Sequence, residues 1–139
     1  MTKSIAEQLK GLGITTKGIN QFDVFTIPDN LIDFPEERLG QQRKTHKSRL
    51  VIILQNNRDN NDPLIQTVLI APLSSGSTHQ RLDYLLLKKD NHFLRSDSYI
   101  RIRYAQPILK KDLKSKFGNV GSANIRDQIK DRLFLLFEL

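Results

Sequence analysis

Leu50-Val51-Ile52-Ile53-Leu54 is an unbroken apolar run whose three central residues are β-branched. A surface helix would space its apolar residues about 3.6 apart, and a strand with one wet face would alternate them. A short continuous run bounded by turn formers reads instead as a buried strand. The turn formers follow at once, in Gln55-Asn56-Asn57-Arg58-Asp59-Asn60-Asn61-Asp62-Pro63. Downstream, Val68-Leu69-Ile70-Ala71-Pro72-Leu73 has the same character and empties into Ser74-Ser75-Gly76-Ser77-Thr78. Small hydroxyl side chains thus stand at a strand exit, free to face a ligand. Upstream, Phe22-Asp23-Val24-Phe25-Thr26-Ile27 mixes aromatic and β-branched residues with alternating polarity until Pro28 stops it. The polar segment from Pro28 to Ser48 that joins the first two strands is long for a compact domain, which marks a working loop.

Further out, Leu82 to Leu87 and Ser98 to Tyr104 predict two more strands, and Ala105 to Leu109 continues past a break near Pro107. Ser122 is an N-cap for a helix with apolar residues at Ile125, Ile129, Leu133 and Leu136. At the other end, Ser4-Ile5-Ala6-Glu7 reads as a capping box and Gly11 and Gly13 punctuate the short helix it opens. Five or six short strands with a helix at each end describe an α+β chain built on a compact, mostly β barrel. One domain over 1–139 is expected, its first 20 residues an N-terminal helical extension.

Lys and Arg number 22 against 15 Asp and Glu, a formal net charge of +7, which is the footprint of a nucleic-acid partner or of an acidic protein. The lack of Cys removes disulfides and thiolate metal sites, and His46, His79 and His92 show no zinc-ligand spacing. No metal or other cofactor is expected. With no signal-peptide pattern and no apolar stretch near the roughly 18 residues of a membrane span, a soluble, cytoplasmic protein without membrane contact is expected.

Phe22-Asp23-Val24-Phe25, then Arg43-Lys44-Thr45 with Arg49-Leu50-Val51-Ile52-Ile53-Leu54-Gln55-Asn56, then Ile70-Ala71-Pro72-Leu73-Ser74-Ser75, and finally Ser98-Tyr99-Ile100-Arg101 occur in a telling order. From Gln21 to Leu139 the chain resembles the MazF/PemK/Kid toxins of type II toxin-antitoxin systems. It departs from their pattern at Phe22, where the family usually has Gly, at Leu50, where Pro commonly follows the arginine, and in the extra stretch His46-Lys47-Ser48. The resemblance implies an SH3-like barrel with a C-terminal helix, a homodimer, and metal-independent, sequence-specific cleavage of single-stranded RNA that stops translation and growth. It also implies an antitoxin whose acidic, flexible tail covers the RNA groove, and DNA binding together with that antitoxin.

RNA can be cut without water or metal when its own 2′-hydroxyl attacks the adjacent phosphorus and the 5′-oxygen of the next nucleotide leaves. The negative charge that builds on the phosphoryl oxygens suits the planar donors of an arginine. Arg49 matches the family's catalytic arginine, although at the edge of an apolar strand it also reads as a charged gatekeeper. Ser74 corresponds to the hydroxyl residue placed opposite that arginine, and it equally reads as a turn serine. Histidine is the side chain that titrates near neutral pH, so His46 in the basic loop is a candidate base, with His79 as an alternative. The arginine and acidic residue that some relatives carry on the later strand align in two ways. In one the arginine falls on Arg103 with Ala105 at the acidic position, and in the other it falls on Arg101 with Arg103 replacing the acid. Either way the carboxylate is missing, and at period two the two arginines also read as the solvated face of a strand.

Phosphates beyond the cut fall to Arg43, Lys44 and Lys47, with Ser75 and Arg101 beside them. Tyr84, Phe93, Tyr99 and Tyr104 are the rings available for base stacking. The run Leu109 to Lys116 reads as a solvated turn. Two rivals stay open: a non-catalytic toxin on the same fold, resembling the gyrase poison CcdB, and a degenerate RNA-binding module favoured by the lost carboxylate.

Overall fold

The computed structural model of the protein describes residues 4, 7–8, 18–43, 45–77 and 79–138. Within them the chain forms β1 (Asp23–Pro28), β2 (Ser48–Ile53), helix α1 (Asn57–Asn60), β3 (Thr67–Ser74), β4 (Tyr84–Leu86), β5 (Ser98–Ile100), β6 (Gln106–Leu109), β7 (Lys116–Asn119) and helix α2 (Ala123–Phe137). The strands make one curled antiparallel half-barrel in the order β4-β5-β3-β2-β1-β7, with β6 also on β3.

β2 lies inside this sheet and explains its own sequence. Val51 and Ile53 belong to an apolar cluster with Phe25, Ile27, Val68 and Ile70. Ile52 and Leu54 belong to a second cluster with Val24, Ala71, Leu86 and Ile125. Alternate residues of a strand face opposite ways, so the missing alternation records a strand covered on both sides. Burying each such side chain contributes roughly 1.5–3 kcal/mol. Helix α2 closes the second cluster with buried Ile125 and Ile129, while Leu133 and Leu136 pack against it half-buried. The Ser122 hydroxyl caps α2 by accepting the Ile125 N–H at 3.3 Å.

β3 is the strand on which the sheet turns. One of its edges pairs with β2, Val51 opposite Pro72. The other edge takes β6 along Thr67–Ile70 and then β5 at Leu73 and Ser74. Between β5 and β6 the chain leaves the edge in a 3-10 turn, Ile102–Tyr104, drawn inward by the fully buried Ile102. The strand expected through Tyr104 therefore stops at Ile100, and Arg101 and Arg103 do not share a strand face. The expected break at Pro107 falls earlier, because Pro107 sits opposite Leu69 in β6, an edge strand that can spare the missing N–H.

Other expectations need correction. The strand predicted over Leu82 to Leu87 is only Tyr84–Leu86. β7 was not expected, since Lys116-Phe117-Gly118-Asn119 is polar and glycine-broken; Gly118 is there because the Phe93 ring occupies the space a Cβ would need. The asparagine-rich run contains α1, capped by Asn56, whose side chain accepts the Asp59 N–H at 2.9 Å. Lys110, read as part of a solvated turn, is buried, and its Nζ donates to the Asp59 and Asp62 carbonyls at 3.1 Å each. Of the N-terminal capping box, the Ser4 hydroxyl accepts the Glu7 N–H at 3.2 Å; Gly11, Gly13 and most of the extension lie outside the described residues.

Phe22 has φ 69°, a left-handed conformation that costs a side-chain-bearing residue about 1–2 kcal/mol. Glycine would adopt it freely, yet the Phe22 ring is 2% exposed and lies under the Arg126 guanidinium at 5.2 Å. Losing a core phenylalanine costs about 3–5 kcal/mol, more than the strain returned. Phe22→Gly is therefore expected to destabilise by about 2 kcal/mol, read as a lower urea midpoint; equal or higher stability would show that the strain outweighs the packing.

Candidate active site

The long segment after β1 folds back in two 3-10 turns, Asp29–Leu31 and Pro35–Leu39, and walls a cleft of about 570 Å³. The opposite wall comes from the end of β3 and the Arg101 to Tyr104 turn. Arg49, on β2, enters this cleft from the floor. Its Nε donates to the Asp29 carboxylate at 2.6 Å and one terminal nitrogen to the Leu73 carbonyl at 2.8 Å. Among the described residues its other terminal nitrogen makes no hydrogen bond. The Phe34 ring lies 5.2 Å from its guanidinium carbon.

Asp29 is wholly buried and also accepts the His46 backbone N–H at 2.8 Å. Burial pushes its carboxyl up, but the Arg49 hydrogen bond, the His46 amide and the charges of Arg49 and Arg43 outweigh that and hold it below its ordinary value. Arg43 serves the same centre. Its guanidinium donates to the Asp29 and Ile32 carbonyls at 2.9 and 3.2 Å, lies 2.8 Å from the Glu37 carboxylate, and sits 4.6 Å from the Phe34 ring.

Across the cleft the arrangement repeats. Arg101 donates through Nε to the buried Asp83 carboxylate at 2.8 Å, and through a terminal nitrogen to the Ser74 hydroxyl and the Gly76 carbonyl, each at 3.3 Å. The Ser74 hydroxyl donates to the same Gly76 carbonyl at 2.8 Å. Tyr104 lies 4.7 Å under Arg101 and packs against Phe34, ring centroids 4.9 Å apart. The Tyr104 hydroxyl holds Glu36 below the usual carboxylate range, and burial followed by Glu36 raises Tyr104.

The structure thus brings Arg49, Ser74, Ser75, His46, Arg43 and Arg101 to one cleft. Arg43 is turned to its own loop more than to open space. Lys47 and Arg103 are exposed away from the cleft lining, His79 stands 6.4 Å from the Tyr104 ring without lining the cleft, and Lys44 lies outside the described residues. Of the four rings named for stacking, Tyr104 lines the cleft; Tyr84 and Phe93 pack against the core, and Tyr99 pairs in β5. Sequence reasoning missed Asp29, Phe34, Glu36 and Asp83. Asp29 follows a proline and looks like a turn residue, Asp83 falls within the stretch predicted as a strand, and no local pattern marks either as an arginine's partner. Among the described residues no group of three or more His, Asp or Glu could hold a metal ion, and no helix is long and apolar enough to cross a membrane.

The site is thus an arginine-lined cleft at the mouth of the central strands of a curled antiparallel half-barrel closed by a C-terminal helix. The chain belongs to the family of PemK-like, MazF-like toxins of type II toxin-antitoxin systems, whose model matches residues 21–137. It is therefore a toxin of that type, with an antitoxin as its partner. Among solved structures it is similar to the Mycobacterium tuberculosis toxin MazF-mt6, at 20% identity and a TM-score of 0.58, over 67% of this chain and 89% of that one. No curated protein matches the chain.

The Asp29 centre makes a prediction for stability. A carboxyl held low in the folded state stabilises it above the unfolded value of about 3.8, and that contribution is lost as pH falls through the folded value. Removing the buried charge strands Arg49, so Asp29→Asn is expected to cost about 3 kcal/mol or more at neutral pH. It should also flatten the loss of stability expected below about pH 4. Urea titrations from acid to neutral pH check both; a variant as stable as the parent at neutral pH would refute the centre's importance.

Proposed function

We propose that this toxin is a ribonuclease that cuts single-stranded RNA, and so inhibits translation and growth, without a metal ion. The 2′-oxygen forms its bond to phosphorus as its proton passes to a base, the bond to the 5′-oxygen breaks, and that oxygen takes up a proton. The products are a 2′,3′-cyclic phosphate and a free 5′-hydroxyl. The observation that carries the reading is Arg49, immobilised by Asp29 and Leu73 with one guanidinium end left over in the cleft. Such a preoriented donor suits charge that appears only in the transition state. Ser74 supplies a neutral hydrogen bond beside it, and His46, in the cleft lining, is the candidate base.

The cytoplasm, where RNA and ribosomes are, is the proposed site of action, and a symmetric homodimer the proposed state. The antitoxin partner is proposed to cover the arginine-lined cleft with an acidic, flexible tail. A non-cleaving RNA-binding module is the second reading, favoured by the absence of a carboxylate at position 103 or 105.

Purified protein is expected to cut single-stranded RNA in excess chelator; activity that disappears there and returns with magnesium would refute the mechanism, and binding without cleavage would favour the second reading. Arg49→Ala should lower the cleavage rate at saturating RNA by about a hundredfold or more, with Ser74→Ala losing less because a neutral hydrogen bond is weaker. Parental cleavage by Arg49→Ala would make the residue a gatekeeper only. Sedimentation at micromolar concentration should show a dimer.

A further inference from the structure

Asp83 is a fully buried carboxylate that the proposed chemistry leaves unused. It comes from the turn before β4, far in sequence from positions 103 and 105, where the family resemblance implies an acidic residue. In space it stands against that same strand end: it accepts from Arg101 Nε at 2.8 Å, from the Arg103 backbone N–H at 3.5 Å, and from the Ser77 hydroxyl. Asp29 holds Arg49 in the same manner, through Nε. The two arginines then spend one terminal nitrogen each on neighbouring groups at the end of β3, the Leu73 carbonyl and the Ser74 hydroxyl. Each keeps a terminal nitrogen that makes no hydrogen bond among the described residues.

We propose that Asp83 is a positioning residue that aims Arg101, so that a phosphate at Ser74 is gripped by two arginines, Arg49 and Arg101, each fixed at Nε by a buried aspartate. This rests on the ribonuclease reading and refines it. An arginine side chain left free would have to give up its rotamer freedom when RNA binds; one already held by a carboxylate presents its donors at no such cost. Asp83 has no solvent-exposed carboxylate surface, so it does not accept the 2′-hydroxyl proton itself. Its role is geometric, and the acidic residue missing from the strand is replaced by one that acts through the arginine.

The test uses the full chain and two readouts. In Asp83→Asn, the single-turnover rate at saturating RNA should fall about ten- to a hundredfold, the range expected for a misaimed donor. The affinity for an uncleavable 2′-O-methyl RNA should stay within about threefold, and the pH–rate profile should keep its shape. Parental cleavage would overturn the proposal, and so would loss of the profile's acidic limb, which would make Asp83 a proton acceptor. If Asp83→Asn does not fold, Arg101→Lys, which keeps the charge but not the Nε contact, carries the same expected rate loss, and parental cleavage by it overturns the proposal. Arginine Nε–H resonances supply the second readout. In the parent, 2′-O-methyl RNA should shift the Arg49 and Arg101 signals together, and in Asp83→Asn that of Arg49 alone. A parent that binds this RNA but does not cut RNA refutes the ribonuclease reading, and the two-arginine grip is then judged by the Nε–H shifts alone. An Arg101 signal unmoved by RNA in the parent overturns the proposal whether or not RNA is cut.

Discussion

The carboxylate of Asp29 sits where β1 gives way to the long loop, out of reach of water; it accepts from Arg49 Nε and the His46 amide, and the Arg43 guanidinium stands 3.3 Å away as a second counter-charge. Such a charge is tolerable inside a protein only because it is paired and hydrogen-bonded. The pairing joins the end of β1, the start of β2 and the returning part of the loop. It also sets the Phe34 ring beside two guanidinium groups, at 4.6 and 5.2 Å. The wall of the cleft and the aim of Arg49 are consequences of one buried contact, and neither can be altered without the other.

This gives the cleft an electrostatic character different from that of a loose basic patch. Of the charges inside it, Arg43, Arg49 and Arg101 are all committed to carboxylates. What the cleft offers an anion is a small set of fixed N–H directions rather than an excess of mobile cations. The general positive charge of the chain serves the approach of a polyanion over distance, while recognition at close range falls to the held guanidinium groups.

The parts of the fold that could be read from the chain were those whose cause is local. The unbroken Leu50 to Leu54 run required a strand with no wet face, and Ser122 with its spaced isoleucines required the capped helix. β7 could not be read, because an edge strand built around a glycine has no apolar pattern and owes its place to the Phe93 ring. The Arg101 to Tyr104 turn was hidden for a similar reason: a buried Ile102 looks the same in a strand as in a turn. In the cleft, Arg49 and Ser74 were nameable through the family resemblance, since position alone left them a gatekeeper and a turn serine, and His46 was nameable as the histidine of the basic loop. Asp29, Asp83 and Glu36 were not, since partnership across the fold leaves no trace in local spacing. Arg43, expected as a cation for phosphates, also braces the loop through Asp29, Ile32 and Glu37, a role that no local spacing announces.

Lys110 does not line the cleft, and its ammonium group is closed in among the carbonyls of α1 and the turn after it. Burial lowers its pKa, yet the amine cannot meet a reagent while the carbonyls surround it. Amine-directed labels will therefore mark the exposed lysines at once and reach Lys110 only when α1 and the turn after it draw away from its side chain. The residue is a built-in clock for that opening, and the rate of its modification measures how often this side of the barrel comes apart while the rest of the fold stays intact.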